Sequence, residues 1–385
     1  MADPLSLRPA QLPLALYIHI PWCLRKCPYC DFNSHEGGAE LPEAAYLQAL
    51  LDDLEADAPL AAGRALGSIF IGGGTPSLLS ADFYRRLLAA VNERVPLSAA
   101  AEVTLEANPG TFEQRRFADF RAAGINRLSL GIQSFDDASL KALGRIHNGA
   151  DARLALEQAL PLGFDSVNLD LMHGLPGQSL AGALADLEQA LSFAPPHLSW
   201  YQLTIEPNTA FHHRPPPLPE DDTLWAIQEQ GQALLDAQGM AQYEISAYAR
   251  AGFQCRHNLN YWQFGDYLGI GAGAHAKLTL ADGGVERRSK QRQPKRYLAG
   301  PPQSSIQRVA GEELALEFLM NALRLNAGVD AGLFAQRTGL SLAQIAEPLA
   351  TARARGLLEP DPARLAPTEL GRRFLNELLG LFYVD

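Results

Sequence analysis

The sequence predicts an α/β fold: an incomplete (β/α)6, TIM-like barrel followed by a smaller helical, winged-helix-like domain. Three observations carry this prediction. Short apolar runs alternate with amphipathic stretches from Leu14 to Gln238, the pattern that parallel β/α units impose. Residues with chemistry to offer cluster just after the C-terminal ends of those runs, where a β/α barrel builds its site. From about Ser305 the composition shifts to Leu, Ala, Glu and Arg at helical spacing.

The strands expected are Leu14–Ile20, Ser68–Ile71, Glu102–Glu106, Arg127–Ile132, Ser166–Met172 and Leu198–Thr204. Helices are expected near Pro42–Ala56, Ser80–Arg94, Thr111–Ala123, Asp136–Leu143, Asp151–Leu162, Ser179–Phe193 and Asp221–Gln238. Ser80, Thr111 and Asp221 offer side-chain oxygens where the first backbone N–H groups of a helix lack partners. Gly124 and Gly163 mark helix ends, and Pro215–Pro219 is a stiff break before the last barrel helix. The next stretch, with weaker periodicity, reads as short strands and loops extending the barrel edge. Beyond it come helices at Glu312–Leu323, Ala331–Thr338 and Ala343–Arg355, a hairpin from Gly356 to Pro367, and a last helix at Thr368–Leu379. The organisation expected is therefore a lead-in over 1–13, the barrel over 14–240, its extension over 241–304 and the C-terminal domain over 305–385. A recognition helix for nucleic acid needs several cations; Arg353 and Arg355 alone favour a structural or protein-contact role for that domain.

Composition narrows the function. With 47% hydrophobic and 19% charged residues the chain is an ordinary folded protein. A net charge of -11 argues against a nucleic-acid partner, which needs a basic surface; the run Arg287–Arg296 is read as a solvated loop. Three of the four cysteines share one loop, which is no secreted disulfide framework and points to a reducing compartment. Met1–Arg8 lacks a signal-peptide pattern, and no apolar run approaches membrane-spanning length. A cytoplasmic location is expected, with peripheral membrane contact left open.

That cysteine loop organises the chain. Cys23-x-x-x-Cys27-x-x-Cys30 directly follows the first strand, close enough for three sulfurs to converge on one inorganic centre. Arg25 and Lys26 lie between them and are expected to favour thiolate. Iron–sulfur clusters normally take four cysteines, so three leave one iron open to a small molecule. The alternatives are a zinc knot completed by His19 or His35, or three unrelated buried thiols.

Cys23-x-x-x-Cys27-x-Tyr29-Cys30 resembles the signature of the radical S-adenosylmethionine (SAM) superfamily. The resemblance implies a [4Fe-4S] cluster on Cys23, Cys27 and Cys30, whose open iron chelates SAM and reduces its sulfonium to a 5′-deoxyadenosyl radical. Ile71-Gly72-Gly73-Gly74-Thr75-Pro76, after the second strand, is similar to the superfamily's glycine motif for the SAM amino group, and so Gly73, Gly74 and Thr75 are implied as SAM contacts. Glu106, Gln133 and Asp170 close the third, fourth and fifth strands, and Arg145 comes next in Leu143-Gly-Arg-Ile-His147. A ligand carrying ammonium, carboxylate, sulfonium and a ribose diol needs this mixture. In that order they resemble the superfamily's SAM site, as do Tyr17 before the loop and Tyr29 within it.

The surrounding sequence is similar to the branch that holds oxygen-independent coproporphyrinogen dehydrogenases and the HemW-type haem chaperones. The dehydrogenases carry a further cysteine where this chain has Phe32, and an N-terminal extension that is nearly absent here. His257-Asn-Leu-Asn-Tyr261-Trp262 resembles the His-Asn-x-x-Tyr-Trp motif of the chaperones, implying haem bound at His257, Tyr261 and Trp262; imidazole is a standard axial ligand and aromatic faces suit a flat macrocycle. Cys255 is a second ligand or an ordinary buried thiol, and His212 and His213 read as loop residues. The resemblance implies haem, recipient haemoproteins and an electron donor such as flavodoxin or ferredoxin as partners. The alternative is oxidative decarboxylation of coproporphyrinogen III.

Overall fold

A computed structural model of the chain describes residues 9–38, 40–110, 116–301 and 303–383. Strands β1 (Leu14–Ile20), β2 (Leu66–Gly73), β3 (Leu97–Ala107), β4 (Arg127–Gln133), β5 (Ser166–His173) and β6 (His197–Gln202) fall on the six expected runs. They pair in parallel and in chain order. Helices cover the sheet, so central strands are buried on both faces and read as continuous apolar runs: all seven residues of β4 are buried.

Helices lie where expected, and local chemistry sets their starts. Ser80 and Ser179 accept from the N–H three residues on. Asn148 and Asp151 form a reciprocal cap, so that helix begins at Gly149, before the expected Asp151. The expectation fails at Asp221: the capping position is Glu220, without a side-chain cap bond. Asp221 and Asp222 lie instead in the first turn, where carboxylates favour the helix's positive end. Of the helix expected from Thr111 the described part is Phe117–Ala122, and Thr111 lies outside the described residues. His212 and His213 belong to a short helix, Ala210–His213.

The sheet grows at both edges after residue 240, where one extended edge was expected. Beyond β6 it adds β7 (Ala241–Glu244) and β8 (Ala247–Ala249), and on the far side of β1 it adds β9 (Asp266–Ile270), β10 (His275–Thr279), β11 (Val285–Lys290) and β12 (Ser304–Arg308). The order is β12-β11-β10-β9-β1-β2-β3-β4-β5-β6-β8-β7, with β9 parallel to β1 and the added hairpins antiparallel. Asp266 clamps this extension: it accepts from Arg64 at 2.7 Å, Lys277 at 3.0 Å and both the backbone and hydroxyl of Thr279. The first half of the basic run, Arg287–Lys290, is no solvated loop, whereas Arg292, Lys295 and Arg296 are exposed. Arg287 bonds Glu317 and Tyr267, Arg288 bonds Glu286, and buried Lys290 lies between Asp53 and Asp57, because the helix Glu43–Asp57 brings two carboxylates to this strand.

A second core gathers Phe318, Phe334, Leu349 and Leu378 with Tyr243, Phe264 and Val285, so the C-terminal helices pack on the barrel extension. The hairpin expected over Gly356–Pro367 reduces to a bridge between Leu358 and Pro367, and Arg364–Leu365 pairs with Val329–Asp330. The final helix breaks at Phe374 into Glu369–Arg373 and Leu375–Gly380. No described helix is long and apolar enough to cross a membrane.

Candidate functional site

β1 delivers the chain into the cysteine loop, which backbone bonds hold closed: His35 N to Pro21 O at 2.7 Å and Gly37 N to Cys23 O at 2.9 Å. Lys26 donates to the carbonyls of Phe32 and Ser34, so its charge ties the loop, and Arg25 is exposed. The cation that meets a thiol is Arg145, whose Nη1 lies 3.7 Å from Cys27 Sγ, a correction to the roles expected of Arg25 and Lys26. Burial pushes the Cys23 thiol up, with hydrogen bonds from Thr75 and Ser34 opposing.

The three thiols act electrostatically on one another, yet among the described residues no three His, Cys, Asp or Glu side chains gather to hold a single metal ion. A cluster takes its thiolates on several irons, so three cysteines in one loop are a donor set that such a centre can use. Of the two histidines that could complete a zinc knot, His19 is already committed. Both ring nitrogens of His19 are bonded, to Tyr17 Oη and Asn33 O, and His35 meets Asn33 Oδ1.

Beside the loop, the ends of β2 to β6 assemble a polar set. Gly73 is left-handed at φ +114°, and a Cβ there would stand 2.6 Å from the His19 ring; at Gly74 it would stand 2.5 Å from Trp22 O. Only glycine lets β2 pass this close beneath the loop. Gly73 N donates to Glu106 at 3.1 Å, and the hydroxyl of Thr75 accepts from Asn108. Gln133 sits at φ +68° where β4 and β5 shift register; such a bulge re-aims a side chain, and its Oε1 accepts from Tyr201 on β6. Arg145 donates to Gly131 O at 2.7 Å and Asn108 Oδ1 at 2.6 Å, while its buried Nε has no partner among the described residues. Tyr29 packs on Phe211.

Opposite stand two carboxyls. Burial, and then the neighbouring charge of Asp170, pushes Glu106 up to about 8, against the opposing Gly73 N–H. Burial also raises Asp170, which accepts from Asn168 and Ser129. Two buried acids side by side favour a cationic group of a ligand between them. The set therefore offers an unused guanidinium N–H for an anion and two acids for a cation. Asn108 and Tyr201 were not singled out in the sequence, although Asn108 lies inside Glu106-Ala-Asn-Pro109.

The His-Asn-x-x-Tyr-Trp residues occupy a short helix, Arg256–Trp262, which the sequence did not predict. Glu102 caps it, accepting from the N–H groups of Arg256 and His257. The His257 ring packs on Phe70, 5.2 Å between centroids, and its Nδ1 bonds Ser68 Oγ at 3.1 Å. No hydrogen-bond partner is seen for Nε2 among the described residues. Burial first, then the Arg127 charge, lowers this imidazole to about 3, so it is neutral and keeps a lone pair. His257 and Tyr261 line a cavity of about 460 Å³ with Tyr17, Phe32, His275 and Arg292. Trp262 turns the other way, against the second core, under the Arg324 guanidinium at 4.4 Å. Cys255 is fully buried, its thiol facing Glu102 and pushed up to about 12 by burial.

A parallel β/α sheet with a three-cysteine loop after its first strand and a polar ring at its strand ends defines a class, and the comparisons agree. The profile of the Radical SAM superfamily matches residues 17–190, and that of the HemN C-terminal domain matches residues 309–374. The solved coproporphyrinogen III oxidase (HemN) of Escherichia coli superposes over 98% of this chain and 92% of its own, with a TM-score of 0.81; at 24% identity it shows the fold alone. Within that class, the heme chaperone HemW of Escherichia coli (strain K12) is 54% identical over 97% of this chain and 99% of its own. The heme chaperone HemW of Bacillus subtilis (strain 168) is 35% identical over 95% and 98%. The chain belongs to the HemW family of radical SAM proteins.

Proposed function

We propose that this protein is a haem chaperone on a radical SAM scaffold, binding haem and handing it to respiratory haemoproteins. The observation that carries this reading is His257: a buried, neutral imidazole with Nδ1 held by Ser68, on the wall of a cavity that begins at the cysteine loop. Metal-ligating histidines are held in this way through their second nitrogen. Tyr261 offers an aromatic face beside His257, and Trp262 anchors their helix to the second core. That relatives matched over nearly their whole length are named heme chaperones supports the same reading.

In this reading Cys23, Cys27 and Cys30 hold a [4Fe-4S] cluster and the strand-end set holds SAM. The cluster supplies one-electron reducing power when bound. Arg145 takes the ligand's carboxylate, and Glu106 and Asp170 face its cationic and diol groups. Gly73, Gly74 and Thr75 bring backbone close to its amino end. Gln133, Tyr17 and Tyr29 complete the walls. An electron donor such as flavodoxin or ferredoxin then belongs among the partners, and the protein works in the cytoplasm. Phe32, at the position of the dehydrogenases' further cysteine, favours chaperone over decarboxylase.

The test is anaerobic reconstitution and then two assays: haem binding by Soret absorbance, and protoporphyrinogen formation from coproporphyrinogen III with SAM and reductant. Haem binding that is lost in His257→Ala, without decarboxylation, is the expected result. Turnover without haem binding would overturn it in favour of coproporphyrinogen dehydrogenation.

A further inference from the structure

Two residues on the His257 cavity have no task inside the fold. Phe32 is 59% exposed at its rim. Arg292 is exposed and lines the same cavity. Its neighbours in the basic run, Arg287, Arg288 and Lys290, all bond carboxylates, whereas Arg292 has no such partner among the described residues. Its backbone is fixed, since Arg292 O accepts from Asn33 Nδ2 at 2.9 Å. After burial, its guanidinium is the next influence that disfavours the charged form of His275, which lines the same cavity. Among the described lining residues Arg292 is the one arginine or lysine, so an anionic ligand edge that enters the cavity has a single permanent cation to meet.

We propose that Arg292 receives a propionate carboxylate of the macrocycle and that Phe32 covers part of its ring face, fixing which edge of the ligand lies at the cavity mouth. This rests on the haem-binding reading above. A guanidinium matches a carboxylate in charge and planar geometry, and an aromatic ring on a planar ligand contributes beyond its buried area.

The full-length protein is titrated with haem and with haem dimethyl ester, which keeps the ring but lacks both carboxylates, reading the Soret band. Arg292→Ala is expected to weaken haem binding about tenfold, the scale of one charge-assisted hydrogen bond, to leave ester binding unchanged, and to be partly rescued by Arg292→Lys. Phe32→Ala is expected to weaken both ligands alike. Equal haem affinity in Arg292→Ala and the parent protein, or equal loss of haem and ester in that variant, overturns the inference while leaving haem binding standing. A parent protein that binds neither ligand defeats the haem reading and the inference together.

Discussion

The two flanks of β1 carry opposite chemistry. Toward β2 and beyond, strand ends present Glu106, Gln133, Arg145 and Asp170, a polar ring that fits a small zwitterion. Toward β9, the cavity presents Tyr17, Tyr261 and Tyr267, with His257 reaching it from its seat on Ser68 and Phe70, and these rings suit a flat, largely apolar body. Tyr17 belongs to both: it lines the cavity, and the charge of Glu106 reaches its phenol. β1 thus runs between two sets of side chains of unlike chemistry that meet at Tyr17.

Arg145→Ala should break that division most strongly. Removing a buried guanidinium bonded to Gly131 and Asn108 costs about 2–3 kcal/mol of ligand binding, which calorimetry would read as SAM affinity falling some thirty- to a hundredfold. Iron content and haem affinity should hold; an unchanged SAM affinity sinks the assignment. At the cavity, Ser68→Ala frees His257 Nδ1, and loss of such a supporting partner weakens metal binding by about tenfold. Haem titration would show it, with SAM affinity unmoved.

The subtlest effect is a proton. With its carboxyl at about 8, Glu106 is mostly protonated at pH 7 in the ligand-free protein, and a bound cation favours release. SAM binding at pH 7 should then release up to about one proton, seen as a binding enthalpy that varies with the buffer's ionisation heat and ceases to vary in Glu106→Gln. The same shift ties stability to pH. A carboxyl raised from 4.5 to about 8 on folding favours the native state fully below pH 4.5, and that contribution is lost as pH rises through 8. The Glu106→Gln melting temperature should therefore fall less across this window.

The polar flank was the more legible of the two in the sequence. Parallel strands buried on both faces write themselves as apolar runs, so the strands that carry Glu106, Gln133 and Asp170 were legible, whereas the roles expected of those residues came from the superfamily resemblance. The cavity flank was legible only as a motif. β9 to β12 are short and largely antiparallel, and Arg287 and Lys290 look solvated until the helix Glu43–Asp57 and Glu317 bring carboxylates to them. Ser68 and Arg292, which face His257 and the cavity mouth from 189 residues upstream and from another loop, leave no local signal. The reach of Arg145 to Cys27 across 118 residues was hidden for the same reason, and Arg25 and Lys26 appeared to be the cations that mattered because they were near in sequence.

Asn33 gives the two flanks a mechanical link. Its carbonyl is held by His19, and its side-chain amide grips the carbonyls of Ala272 and Arg292, so one residue rivets the cysteine loop to the far wall of the cavity. Oxidative destruction of the inorganic centre would slacken that rivet, and an air-damaged molecule would lose its hold on cargo without any damage at the cargo site itself. Faster amide exchange around Gly273 in cluster-depleted protein would register the slackening, and exchange indifferent to iron content would rule it out.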